Sequence, residues 1–239
     1  NMDGDHVSTV IYTLNIGDYA PEIRAVTRPH LERWARKIGA TIHDITERKF
    51  PQWDVDYEKL QIHDLAKQNG ADWHLYIDSD ALIHPELPDI TELLPRDTVA
   101  HNGSDFAPLR WRYDDYFRRD GRNIGSCNWL ACASSWCLDL WRPLDDLTFA
   151  EAVANITPTV EESRGPSEEE PCKVGVSAEH LVSDYALSRN IARFGLKFMT
   201  LGDLWKRHGM TPDFFAHSYT VNHSEKLRLL NETLTRWKL

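Results

Sequence analysis

The chain has 239 residues, 41% hydrophobic and 27% charged, with 27 Lys and Arg set against 37 Asp and Glu for a formal net charge of −10. That acidic balance disfavours a duplex nucleic-acid partner, which binds largely through a positive surface, although Arg110, Arg112, Arg118, Arg119 and Arg122 make one local basic group. No stretch approaches the roughly 18 apolar residues of a membrane span, and the polar start Asn1-Met2-Asp3-Gly4-Asp5 does not read as a signal peptide.

Residues 7–15, VSTVIYTLN, read as a first strand rich in β-branched and aromatic side chains. Gly17 and Asp18 turn the chain. Ile23, Val26, Leu31, Trp34 and Ile38 then recur at helical spacing over Pro21 to Lys37, with a kink expected at Pro29 and a stop at Gly39. Residues 40–46, ATIHDIT, alternate like a second strand. Leu60, Ile62, Leu65 and Ala66 mark a second helix over about Asp56 to Gln68, closed by Gly70. A third strand, carrying Leu75-Tyr76-Ile77, runs into Asp78-Ser79-Asp80. Strand–helix–strand–helix–strand predicts an α/β fold: a Rossmann-like, mainly parallel central sheet with helices on both faces.

The second half is less regular. Residues 97–103 suit another strand, 105–122 an aromatic, arginine-rich loop or helix, and 124–138, IGSCNWLACASSWCL, a buried strand running into a helix that ends near Trp141-Arg142-Pro143. Residues 157–175 are acidic and rich in Pro, Gly and Ser. They read as a mobile loop within one domain, because the remaining C-terminal stretch is too short to fold alone. A helix over about 178–194, a strand over 196–201 and a final strand–helix pair over 213–217 and 223–237 complete the chain. The four cysteines, Cys127, Cys132, Cys137 and Cys172, show no Cys-x-x-Cys spacing, which suits a reducing, cytoplasmic compartment and no disulfide framework.

The richest chemistry lies in Asp78-Ser79-Asp80. Residues i and i+2 of a strand share a face, so extended geometry carries both carboxylates to one point at the strand's C-terminal end. Open α/β sheets bind ligands there. Paired carboxylates repel unless something positive sits between them. A hard divalent cation holding a diphosphate meets that need, because Mg²⁺ and Mn²⁺ favour oxygen ligands shared with substrate phosphates. A plain turn or helix cap is the other reading of Asp-Ser-Asp.

An N-terminal nucleotide-binding strand, the Asp78-Ser79-Asp80 strand end, the Asn-x-Gly segment Asn123-Ile124-Gly125, the helix segment Ser183-Asp184-Tyr185-Ala186-Leu187 and the late His217 together resemble a known family. It is that of the GT-A fold nucleotide-sugar glycosyltransferases with an Asp-x-Asp motif, in the galactosyl/mannosyltransferase or glycogenin-like groups. The resemblance spans about residues 7–226, and its specific part is the Asp-x-Asp segment. It implies a single GT-A domain, with a donor half over about 7–103 and an acceptor half over about 104–239. It further implies metal-dependent transfer of a sugar from a nucleoside-diphosphate donor, a UDP-sugar by preference, to a hydroxyl of a glycan or small-molecule acceptor.

On the donor side the resemblance implies that Thr13, Leu14 and Asn15 meet the nucleoside, that Tyr19 stacks on the base and that Asp44 accepts a hydrogen bond from the uracil ring or ribose. Asp78 holds the ribose or reaches the metal through water, Ser79 lies between, Asp80 binds Mn²⁺ or Mg²⁺ directly and His217 completes the site. His223 is the competing histidine. Lys59 and Lys226 are candidate diphosphate contacts, with a solvated helix face as the other reading of Lys59. Asp184 matches the acidic position near the anomeric carbon, a base in an inverting enzyme or an orienting group in a retaining one, and Glu179, one helical turn earlier, is its rival. On the acceptor side Asn123 and Gly125 approach the sugar and Trp111 and Tyr113 form an aromatic wall, whereas Trp129, Trp136 and Trp141 read as core. The loops at 105–122 and 157–175 are candidates to close over the donor.

Other classes fit less well. A nucleotidyltransferase usually presents a glycine-rich, basic loop after its first strand, and TLNIGDYAPE is poor in both. An Asp-x-Asp phosphatase usually carries a hydroxyl residue after the second Asp, where this chain has Ala81. A nucleotide-sugar or glycan-binding module without transfer, and a DNA-modifying glucosyltransferase, remain the alternatives.

Overall fold

Side-chain alternation along three strands sets the frame of the molecule. In a computed structural model, which describes residues 7–103, 115–120, 127–161, 177–211, 213–218 and 221–239, β1 (Thr9–Leu14) lies between β2 (Thr41–Ile45) and β3 (Trp73–Ile77) and is parallel to both. β5 (Thr98–His101) and β6 (Leu130–Ser134) pair antiparallel, β6 pairs antiparallel with β3, and β5 takes β7 (Lys197–Thr200) as a parallel edge. The order β2-β1-β3-β6-β5-β7 is a mixed sheet in which β6 alone is reversed. Two further short strands, β4 (Leu82–Ile83) and β8 (Phe215–Ala216), pair antiparallel beside it.

Successive side chains point to opposite faces, so each strand feeds two cores. Ile11, Leu75, Ile77, Leu130 and Cys132 pack on one face with Leu31 and Trp34 of α1 (Pro21–Lys37) and Leu204 of α7 (Leu201–Arg207). Tyr12, Tyr76, Ala131 and Ala133 pack on the other with Leu60, Trp141 and Tyr185. Every residue of β3 is buried, as expected of a strand covered on both sides.

The helix expected over Pro21–Lys37 forms with those bounds and carries Pro29 inside it. Beyond it the Ala40 amide bonds back to the Ala35 carbonyl at 2.9 Å, and Gly39 adopts the left-handed φ of +68° that this closure needs. The second helix is divided: Asp54 caps a 3₁₀ segment, Val55–Gln61, which passes into α2 (Ile62–Asn69). The remaining helices are α3 (Ile90–Leu93), α4 (Asp115–Asp120), α5 (Phe149–Glu161), α6 (Ala178–Arg193) and α8 (His223–Trp237).

Four expectations change. The strand within 124–138 is only Leu130–Ser134, and it leads into a 3₁₀ turn, Leu138–Trp141, in place of a longer helix. Helix α5 is an addition to the expected elements and extends into the segment read as a mobile loop, of which 162–175 lies outside the described residues. Helix α7, helix α3 and strand β4 are further additions. Trp136, read as core, is 68% exposed and meets the Arg96 guanidinium across its ring at 5.1 Å. Among the described residues, no helix is long and apolar enough to cross a membrane, and Cys127, Cys132 and Cys137 are buried free thiols.

Candidate active site

β3 ends at Ile77, and a tight turn takes over. The Ala81 amide donates to the Asp78 carbonyl at 3.0 Å, so this turn, and not extended i, i+2 alternation, brings the two carboxylates together. The β4–β8 ladder supplies the third group. Its register pairs Leu82 with Ala216, and one further step sets His217 opposite Ala81, next to Asp80. The His217 Nε2 lies 3.2 Å from Asp80 Oδ1 and 3.4 Å from Asp78 Oδ2.

Neighbouring groups fix these three. The Asp78 amide donates to the Trp129 carbonyl at 2.9 Å. The Trp129 ring stacks on the His217 imidazole, with centroids 5.2 Å apart and planes inclined by 18°. The Tyr76 hydroxyl donates to Asp78 Oδ1, and the Lys226 ammonium to Asp80 Oδ2. The Thr27 hydroxyl donates to the Ser79 carbonyl at 2.6 Å, anchoring the turn to α1.

Burial pushes both carboxylates towards the neutral acid, but the surrounding cations prevail. The Lys59 charge and the His217 hydrogen bond hold Asp78 below its ordinary range, and His217 and Lys226 hold Asp80 well below it. Burial pulls the His217 imidazole down, yet the Asp80 charge and the bonds to both carboxylates push it up to about 9.

One donor atom from each of Asp78, Asp80 and His217 falls within 4.8 Å of the others. Two carboxylate oxygens and one imidazole nitrogen are a donor set for a hard or borderline divalent cation, with coordination positions left for substrate oxygens or water. These three side chains can hold a metal ion. His223 is not one of the three, and its ring is edge-on to Tyr19 at 5.2 Å.

The cluster opens into a cavity of about 750 Å³ at the carboxyl ends of β1 and β3. Of the residues singled out in the sequence, Leu14, Asn15, Tyr19, Asp78, Ser79, Asp80, Asp184, His217, His223 and Lys226 line it. Four others do not. Thr13 is buried, and Asp44 is held by Arg28 at 2.7 Å. Glu179 is exposed in the first turn of α6. Lys59 is not on a solvated helix face but buried behind the wall, 1% exposed. Trp111, Tyr113, Asn123 and Gly125 lie outside the described residues.

Lys59 organises part of the cavity wall from behind. Its ammonium lies 2.9 Å from Asp56 Oδ2 and 4.0 Å from Asp184 Oδ1, donates to the Asn128 carbonyl at 2.9 Å and sits over the Tyr76 ring at 4.7 Å. Burial lowers its proton affinity, but the charges of Asp56, Asp78 and Asp184 more than reverse that, and it is held as the cation. Asp184 has the opposite fate: burial raises it to about 7, because Lys59 offsets only part of the desolvation and Asp56 adds repulsion.

Sequence reasoning passed over several lining residues. Arg24 donates to the Asn15 side chain from the first turn of α1, and that turn faces the end of β1, a position the strand–helix order already implied. Asp54, Asp56 and His180 also line the cavity, and the His180 Nδ1 lies 3.3 Å from Asp54 Oδ1. That contact joins segments 126 positions apart, and no local pattern announces it.

No protein-family model and no curated protein matches the chain. Among solved structures its fold is similar to a glycosyltransferase involved in the glycosylation of the major capsid of PBCV-1, with 10% identity and a TM-score of 0.49 over 94% of this chain and 99% of that one. A likeness of that degree transfers no residue role.

Proposed function

We propose that the chain is a metal-dependent glycosyltransferase that moves a sugar from a nucleoside-diphosphate donor, a UDP-sugar by preference, to a hydroxyl of a glycan or other acceptor. The observation that carries this reading is the convergence of Asp78, Asp80 and His217 on one point at the mouth of a cavity of about 750 Å³. That size lies in the roughly 300–1,000 Å³ range of small-molecule sites.

Leu14, Asn15 and Tyr19 receive the nucleoside, and Tyr19 is half exposed with its ring available to a base. Asp78, Asp80 and His217 hold Mn²⁺ or Mg²⁺. A divalent ion bound there supplies Lewis-acid stabilisation of the charge that develops on the leaving diphosphate. Lys226 and Arg24 bring further positive charge to the same wall. Asp184 takes the proton from the acceptor hydroxyl or orients it. We prefer it to Glu179 because Asp184 lines the cavity, and because an acid that ionises near neutral pH is matched to proton transfer. Lys59 acts from behind, as a fixed positive charge that orients Asp56 and Asp184.

The test is a thermal-shift screen of nucleotide sugars with and without Mn²⁺. Ligands that bind only the native state raise the melting temperature with their occupancy. We expect a UDP-sugar to raise it in the presence of Mn²⁺, and Asp80→Ala to abolish the metal-dependent part. A shift that Asp80→Ala leaves intact would falsify the proposed site.

A further inference from the structure

Lys226 is not placed like an ordinary phosphate-binding lysine waiting at a cavity rim. It lies in the first turn of α8, where the Glu225 amide donates to the Asn222 cap at 2.9 Å, and its side chain is only 7% exposed. Its ammonium bonds to Asp80 Oδ2 while His217 faces the other oxygen of the same carboxylate. One oxygen of Asp80 therefore already faces a lysine ammonium, and the other faces the His217 ring. A divalent ion drawn to Asp80 must share that carboxylate with Lys226, and like charges at such range in a poorly solvated site repel strongly. A buried ammonium deprived of its carboxylate is itself costly unless another anion takes it. Lys226 also lines the cavity, so a phosphate bound there would offer its flexible four-carbon stem such an anion.

We infer that Lys226 is a resident counter-cation of Asp80, which competes with the divalent ion and is handed over to the donor diphosphate when both bind. The inference rests on the functional reading above and adds an energetic coupling to it. Ion and nucleotide each remove the obstacle to the other, so each tightens the other by the same factor. Typical coupling between two ligands amounts to about 5- to 150-fold in affinity.

The experiment is a titration of Mn²⁺ into the full chain, followed by the electron paramagnetic resonance signal of free Mn²⁺, with and without saturating UDP. For the unmodified chain we expect UDP to tighten Mn²⁺ binding by a factor within about that 5- to 150-fold range. Lys226→Met should bind Mn²⁺ alone more tightly than the parent and gain less from UDP than the parent does. Lys226→Arg, which keeps the charge, should behave like the parent. Lys226→Gln replaces the Met variant if melting curves show the latter unfolded. Mn²⁺ binding without UDP that is unchanged or weaker in the neutral variant, or a UDP effect as large as the parent's, overturns the inference alone. Absence of Mn²⁺ uptake by the parent in both conditions overturns the functional reading and this inference with it.

Discussion

Asp184 shows how one buried carboxylate links stability to chemistry. Its ordinary pKa of 3.8 is raised to about 7 in the folded chain, mainly by burial. The folded state therefore binds a proton more tightly than the unfolded state, and stability falls as pH rises from about 4 to about 7 before levelling off. Asp184→Asn removes this titration. The melting temperature of the variant relative to the parent should climb between pH 4.5 and 7.5 and stay flat above. An equal difference at both pH values would show that the carboxyl is already ionised at the lower one. If the same group accepts the acceptor's proton, parent turnover should rise as pH passes through about 7, since only the carboxylate is a base.

Among the elements, the entry to β6 has the largest hold on the site. Asn128 and Trp129 just precede it: the Asn128 carbonyl receives the Lys59 ammonium, the Trp129 carbonyl receives the Asp78 amide, and the Trp129 ring stacks on His217. One short stretch thus fixes two of the three cation ligands and the buried Lys59. Groups that orient metal ligands commonly cost about 10- to 100-fold in metal affinity when removed. Trp129→Leu should weaken Mn²⁺ uptake by about that range, and Trp129→Phe, which keeps a ring to stack, by much less. A calorimetric Mn²⁺ titration that finds the Leu variant equal to the parent would refute the positioning role. Helices α5 and α7, among the elements absent from the sequence reading, carry local signals. Thr148 and Glu151 form a reciprocal cap at the start of α5, with the Thr148 amide 2.7 Å from Glu151 Oε2 and the Glu151 amide 3.3 Å from Thr148 Oγ1. Thr200 caps α7 through the Asp203 amide at 3.0 Å. Both are Ser/Thr-x-x-acid patterns ahead of an apolar run, hidden by the irregular segments around them.

At the scale of the whole molecule the sheet is the stabilising unit. Leu75 sits fully buried in the middle of β3, between β1 and β6. Leu75→Ala should cost about 2–5 kcal/mol in chemical denaturation while the folded fraction keeps its cation uptake. Much of this frame was legible. The periodicity of residues 7–80 gave three strands, the two intervening helices and the place where Asp78 and Asp80 emerge, because in that half neighbours in sequence are neighbours in the sheet. The meeting of those carboxylates with His217 was legible only through family resemblance, since 137 positions separate Asp80 from His217 and a two-residue ladder does the joining. The roles of Trp129 and of buried Lys59 were not legible at all, because both depend on side-chain packing across strands. The reversed direction of β6 carries a final consequence. Five strands deliver their carboxyl ends to the ligand side, whereas β6 begins there. Asn128 and Trp129, which lead into it, therefore arrive beside the cavity, and Asn128 lines it. A strand that runs against its neighbours thus places its own entrance at their exits, where Trp129 can brace the cation cluster.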